Sequence, residues 1–186
     1  FSDFLRISHG CLGNCSYCNI RNAVGNLRSK PPDDIVSEYK KLLGEGKRNF
    51  TLTCEDSGAY GKDLNSSLPE LLEKLSQADE GLNIGWFLYH LNPFWAMKYE
   101  HELVRIIESN KLKIIYCPIQ SGSDRVLALM RRNNDAKNVT RILLEFRKAS
   151  PKIGLLTDVI IGFPSETHDE FLATVELIKR VRFNMT

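Results

Sequence analysis

No stretch of this chain is long and apolar enough to cross a membrane as a helix. No N-terminal segment has the charged start and apolar centre of a signal or transit peptide. Internal repeats, low-complexity tracts and Gly- or Pro-rich linkers are also missing, which argues against solenoid, fibrous and disordered classes. Cysteine is too scarce, at five residues in 186, and odd in number for the disulfide framework of a small secreted domain. Thiols in such a chain serve metals or catalysis in a reducing compartment, so we expect a cytoplasmic protein with no membrane partner.

What is present is ordinary in bulk. Hydrophobic residues make up 42% and charged residues 26%, as in a globular protein of one domain with room for a core. The net charge of +2 hides an asymmetry. Residues 55–80 hold seven acids against two lysines, and residues 131–152 hold seven bases against Asp135 and Glu145. A basic stretch of this kind suits either a solvated helix face or contact with nucleic acid.

The informative feature is Cys11, Cys15 and Cys18, spaced C-x3-C-x2-C. Three thiolates so close together can converge on one soft metal centre. They are one short of a closed four-thiolate site. A [4Fe–4S] cluster on three cysteines keeps an open position on one iron, where a small molecule can bind. Structural zinc wants four ligands, and His9 lies too close before Cys11 to supply the fourth easily. Buried inert thiols fit poorly, because Gly10, Gly13, Asn14 and Ser16 make this segment a loop.

The remaining pattern alternates β-rich runs with amphipathic stretches. Strands are predicted at 4–8, 50–54, 83–89, 113–118 and 153–161. The last is nearly all apolar, as for a strand covered on both faces. Helices are predicted after Pro31-Pro32, after capping boxes at Ser67/Glu70 and Thr167/Glu170, over 100–109, and in two pieces over 123–132 and 135–149. A sixth strand would begin near residues 181–186. Alternating β and α elements imply parallel strands, in a partial open barrel or a doubly wound sheet. Ligands bind such sheets at the carboxyl ends of the strands. All five ends are polar or glycine-rich here: the cysteine loop, Glu55 to Gly61, His90 to Pro93, Gln120 to Asp124, and Gly162 to Glu166.

These residues resemble the radical S-adenosylmethionine enzymes, through Cys11-x3-Cys15-x-Tyr17-Cys18. The resemblance extends over the whole chain to the methylthiotransferase branch, through 52–61, 118–127, Met130-Arg131-Arg132 and 157–167. Residues 25–27 and 55–61 are most similar to the archaeal and eukaryotic enzymes that act on threonylcarbamoyl-adenosine in tRNA. The resemblance implies a fold: an α/β partial TIM-type barrel with about five of the usual six units. It implies a [4Fe–4S] cluster on Cys11, Cys15 and Cys18, and S-adenosylmethionine cleaved to a 5′-deoxyadenosyl radical that abstracts hydrogen from an unactivated C–H. It implies tRNA as partner, and a reductant such as a flavodoxin or ferredoxin; we expect a monomer.

Residue roles follow from the same resemblance. Tyr17 would pack beside the cluster. Glu55 and Asp56 would take the methionine ammonium, and Arg132 its carboxylate. Gln120, Ser121 and Ser123 would reach ribose hydroxyls, unless Ser123 caps the next helix. Gly162, Phe163 and Pro164 would shape the adenine pocket, while Arg131, Cys54 and Cys117 would take no part. Two positions depart from the family: Ser165 replaces a usual Gly, and Phe94 a usual Pro. Residues 1–186 would be a radical core alone, without the second-cluster and RNA-binding domains typical of the family. Such a core would cleave S-adenosylmethionine without inserting sulfur. The same core acting on another target, such as a ribosomal-protein residue, is the rival reading; a non-catalytic iron–sulfur or zinc protein is the third.

Overall fold

Leu5, Leu52, Leu88, Ile115 and Leu155 stand side by side across one parallel sheet, each fully buried. The computed structural model that shows this describes residues 2–79 and 81–186. The chain runs through β1 (Asp3–Arg6), β2 (Ser8–His9), α1 (Ile20–Val24), β3 (Arg28–Ser29), α2 (Pro32–Gly44) and β4 (Asn49–Thr53). A 3-10 turn at Ser57–Ala59 leads to α3 (Leu68–Ala78), β5 (Gly85–Leu88), α4 (Pro93–Lys98), α5 (Glu100–Glu108) and β6 (Leu112–Tyr116). The remainder is α6 (Asp124–Leu129), α7 (Ala136–Ala149), β7 (Gly154–Leu156) and α8 (His168–Val181).

The main sheet has the order β1-β4-β5-β6-β7, all parallel, and does not close on itself. Helices α2, α3, α5, α7 and α8 pack each against the next, as the outer ring of a barrel does. This is the partial α/β barrel the sequence implies. Met185 forms an isolated parallel bridge to Leu156, in the place of a sixth strand.

Side chains alternate across a strand, so the neighbours of the buried row point to the other face. That face is the barrel interior, where Phe4 is 72% exposed and Phe87, Tyr89, Ile114 and Tyr116 are half-buried. The fifth strand is shorter and less enclosed than predicted. It stops at Leu156, because the Thr157 hydroxyl interrupts the ladder. It accepts from Ile119 N at 3.1 Å and donates to Cys117 O at 2.8 Å. Beyond it Asp158 and Ile161 are exposed. The Thr167/Glu170 capping box is complete, whereas Glu70 turns from Ser67 to accept from Ser66 Oγ at 2.8 Å, leaving that box half-formed. Two short helices, α1 and α4, are additions to the predicted set.

The end of the sheet away from the cysteine loop is held by a buried ion pair. Lys111 Nζ donates to both Asp79 carboxylate oxygens, at 2.8 and 3.0 Å, and to Ser76 O and Oγ. The Asp79 side chain is fully buried. Removing one partner of such a pair leaves an uncompensated charge, at a cost of about 3–5 kcal/mol. Asp79→Ala is therefore expected to lower unfolding free energy in urea by that amount. A loss below about 1 kcal/mol, the size of an exposed pair, would contradict this assignment.

Candidate active site

The cysteine loop leaves β1 through β2, which pairs antiparallel with β3 (Ser8 opposite Ser29, His9 opposite Arg28) and closes residues 10–27 into a tethered loop. Gly10 has φ +79°, and a Cβ there would lie 2.1 Å from Asn26 O. Gly10→Ala must push the two ends of the loop apart. We expect the variant to bind much less iron on reconstitution while the helical circular dichroism of the barrel persists; full iron loading would refute this role.

Ser16 fastens the loop to the end of α6, through Ser16 N to Met130 O at 3.1 Å and Ser16 Oγ to Leu129 O at 2.8 Å. Gly13 sits between two sulfurs: a Cβ there would be 3.2 Å from Cys11 Sγ and 3.8 Å from Cys15 Sγ. Gly13 N donates to Cys11 Sγ at 3.2 Å. Burial pushes the Cys11 thiol up, and the Gly13 amide opposes this. Cys11, Cys15 and Cys18 all line one cavity of about 260 Å³. Among the described residues no three His, Cys, Asp or Glu side chains converge tightly enough for a single metal ion. Three soft thiols facing a shared cavity, with a main-chain amide on one sulfur, fit a larger cluster better than one ion.

The same cavity joins Tyr17 of the cysteine loop to Glu55, Asp56, Gln120 and Arg132, which come from beyond the ends of β4 and β6 and from the turn after α6. Asp56 is 5% exposed; its Oδ2 accepts from Trp95 Nε1 at 3.0 Å and its Oδ1 has no partner. Desolvation pushes its carboxyl up to about 6, against the Trp95 hydrogen bond and the Arg132 charge. Glu55 Oε1 accepts from Arg6 at 3.4 Å, while the buried Oε2 is unpartnered. Two buried carboxylate oxygens without donors, beside three thiols, leave acceptors for a cationic ligand. Arg132 donates to Pro118 O at 2.7 Å and Tyr17 Oη at 3.4 Å, with Cys15 Sγ at 3.9 Å. It thus ties the cysteine loop to the end of β6.

Five residues assigned from sequence lie elsewhere. Ser121 is buried, accepting from Ser123 N at 3.1 Å beside the Thr174 hydroxyl. Ser123 caps α6 and donates to Glu170 at 2.8 Å. These two hydroxyls hold α6 to α8 and do not line the cavity, because the turn after Gln120 carries them toward α8. Gly162, Phe163 and Pro164 form a turn outside the cavity, closed by Gly162 N to Glu166 Oε2 at 2.6 Å. A Cβ on Gly162 would meet nothing within 4 Å, so its φ of +74°, and no close approach within the chain, accounts for glycine. Ser165 adopts φ +70°, the conformation a glycine favours, and Arg125 clamps it through Ser165 O at 2.6 Å.

Sequence reasoning assigned no role to His90, Asn92, Tyr116 and Asp158, which also line the cavity. Tyr116 donates to Asp158, and Tyr89, His90 and Tyr116 pack together with ring centroids 5.3–6.1 Å apart. His90 Nδ1 must donate to Cys54 O, 2.8 Å away, because a carbonyl only accepts. Their signal was position alone, at the carboxyl ends of β5, β6 and β7. Cys54 and Cys117 are buried, and burial pushes both thiols up to about 12.

Residues 5–178 match the family model of the Radical SAM superfamily. The chain belongs to that superfamily. Its members use a [4Fe–4S] cluster and S-adenosylmethionine, the cofactors the sequence implied. A probable threonylcarbamoyladenosine tRNA methylthiotransferase of Archaeoglobus fulgidus is 38% identical over 178 residues, covering 95% of this chain and 42% of the relative. The human threonylcarbamoyladenosine tRNA methylthiotransferase is 36% identical over 185 residues, covering 97% and 31%. The chain thus spans well under half the length of these relatives. The radical S-adenosylmethionine methyltransferase TsrM of Kitasatospora setae, solved with cobalamin and a [4Fe–4S] cluster, superposes with a TM-score of 0.81 at 13% identity, over 99% of this radical SAM chain and 36% of that one. The oxidase HemN of Escherichia coli gives 0.63 at 14% identity, over 100% and 43%. At such identities these two show the fold alone.

Proposed function

We propose that this chain is the radical core of a methylthiotransferase, acting on a threonylcarbamoyl-modified adenosine of tRNA. The observation that carries this reading is the one cavity where three loop thiols meet an arginine and two carboxylates, each with one buried oxygen unpartnered. Cys11, Cys15 and Cys18 would hold the cluster, which would supply the electron for cleavage of S-adenosylmethionine. The chain's own residues do the rest. Glu55 and Asp56 receive the methionine ammonium, and Arg132 steadies the loop and faces the methionine carboxylate. Gln120, with φ +69°, and Asp158 offer polar groups to the ribose. Tyr89, His90 and Tyr116 form an aromatic wall that suits a nucleobase. The names of the relatives supply the substrate class. The electron comes from a flavodoxin- or ferredoxin-type reductant, and the protein works in the cytoplasm as a monomer. No helix among the described residues is long and apolar enough to cross a membrane.

The test uses an anticodon stem-loop RNA whose modified adenine is deuterated on the ring. The reconstituted, reduced protein should transfer deuterium into 5′-deoxyadenosine. Product free of deuterium, formed at the same rate with and without RNA, would move the target to another class, such as a ribosomal-protein side chain.

A further inference from the structure

A second cavity, of about 360 Å³, shares Gly13, Cys15, Asp56, Asn92 and Arg132 with the cofactor cavity. Its own wall adds Asn14, Phe94, Trp95, Arg131 and Asn133. We propose that this cavity receives the amino-acid substituent of the modified adenosine, with Arg131 as partner of its carboxylate. The inference rests on the tRNA reading above and names the residue that would distinguish the modified base from plain adenosine.

Arg131 stands where glycine is favoured. Helix α6 ends in a pair of bonds, Arg131 N to Ala128 O at 3.0 Å and Arg132 N to Leu127 O at 2.9 Å, the Schellman arrangement. The residue after its cap adopts the left-handed conformation, and Arg131 does so with φ +56°. An arginine there strains the backbone where a glycine would not. The turn sends two successive guanidinium groups to one cavity. They differ in what they have left to give. Arg132 already holds Pro118 and Tyr17, with only its buried Nε unpartnered, whereas the exposed Arg131 guanidinium makes no hydrogen bond or ion pair among the described residues.

The rest of the lining matches the substituent, which is a threonine joined to the adenine through a urea-like carbonyl. It therefore presents a carboxylate, a hydroxyl and amide-type groups. Asn14 and Asn133 make no side-chain hydrogen bonds among the described residues. Asn92 uses its carbonyl oxygen to cap α4 at 3.1 Å, leaving its NH2 to donate. Phe94 and Trp95, with ring centroids 4.9 Å apart, add an apolar wall for the methyl group. Asp56 is the one acid in the lining, and its Oδ2 is taken by Trp95. Guanidinium binds carboxylate bidentately. The methionine carboxylate has the same chemistry, but Arg131 does not line the cavity that holds all three thiols.

The test compares two anticodon stem-loop RNAs, with and without the threonylcarbamoyl group, for affinity to the reconstituted protein. Loss of a charge-assisted pair predicts that Arg131→Asn lowers the preference for the modified RNA by about tenfold or more. Asparagine tolerates the left-handed backbone, so this variant keeps the turn. Arg131→Lys should retain part of the preference, and Asn133→Ala should lose part of it. Full preference in Arg131→Asn would overturn the proposal while leaving the tRNA reading intact. An equal loss of S-adenosylmethionine affinity would overturn it too, by placing the methionine carboxylate on Arg131. A parent protein that binds both RNAs equally would overturn this proposal, and one whose 5′-deoxyadenosine takes up no deuterium from the modified RNA would remove the tRNA reading with it.

Discussion

Cys15→Ala is expected to reduce both iron content and 5′-deoxyadenosine formation to background after anaerobic reconstitution, and Cys117→Ala is expected to keep both. The two thiols differ in setting, not in chemistry. Cys15 is half-buried, lines both cavities and lies 3.9 Å from the Arg132 guanidinium. Cys117 lies outside the cavity lining and is 1% exposed. Its thiol is pushed up to about 12, so it stays protonated and unreactive at neutral pH. Losing its sulfur should cost stability alone, on the order of 1 kcal/mol. Iron per protein and the absorption of the reconstituted samples check both halves. Full iron in Cys15→Ala would show that the triplet does not carry the cluster, and a colourless, zinc-loaded parent would restore the zinc reading.

Asp56→Asn should make the cluster-free protein more stable at pH 8 while weakening S-adenosylmethionine binding. The sign follows from the raised carboxyl. Burial lifts it from 3.8 to about 6, so the ionised form is disfavoured in the folded state. The group costs nothing below about pH 4, where it is protonated folded or unfolded. Its penalty grows as pH rises from about 4 to 6 and is constant above. Two pK units correspond to about 3 kcal/mol. Asparagine still accepts from Trp95 and removes the penalty. Urea unfolding of parent and variant between pH 5 and 8 should therefore show a gap that widens toward pH 6 and then levels. A gap independent of pH would mean that Asp56 is not buried as charge. Undiminished S-adenosylmethionine affinity in Asp56→Asn would leave Glu55 alone as the ammonium partner.

The barrel was legible because its signals are local. Leucine stripes, N-caps and apolar strand runs each depend on a few neighbouring residues, and the observed elements lie within a few residues of the predicted ones. The fifth strand was overextended because apolar composition does not reveal that the Thr157 hydroxyl takes ladder positions. Of the residues assigned from sequence, the structure gathers the three cysteines, Tyr17, Glu55, Asp56, Gln120 and Arg132 around one cavity. Ser123 was legible as the cap of α6, which it is, but Ser121 could not be separated from Gln120 by sequence, since only the turn decides that its hydroxyl meets Thr174. Tyr116 and Asp158 stand 42 residues apart, and their hydrogen bond exists only once β6 and β7 are neighbours. Arg131 reads as a solvated arginine in the sequence and is exposed in the structure; the left-handed turn that brings it to the second cavity has no signal there.

The central claim is that Cys11, Cys15 and Cys18 together make a centre that cleaves S-adenosylmethionine. Its most direct test is 5′-deoxyadenosine measured under anaerobic conditions with reconstituted, dithionite-reduced protein, with Cys15→Ala in parallel. The account predicts product that depends on iron and on S-adenosylmethionine, and none from the variant. A parent protein with its full iron complement and no 5′-deoxyadenosine would contradict it.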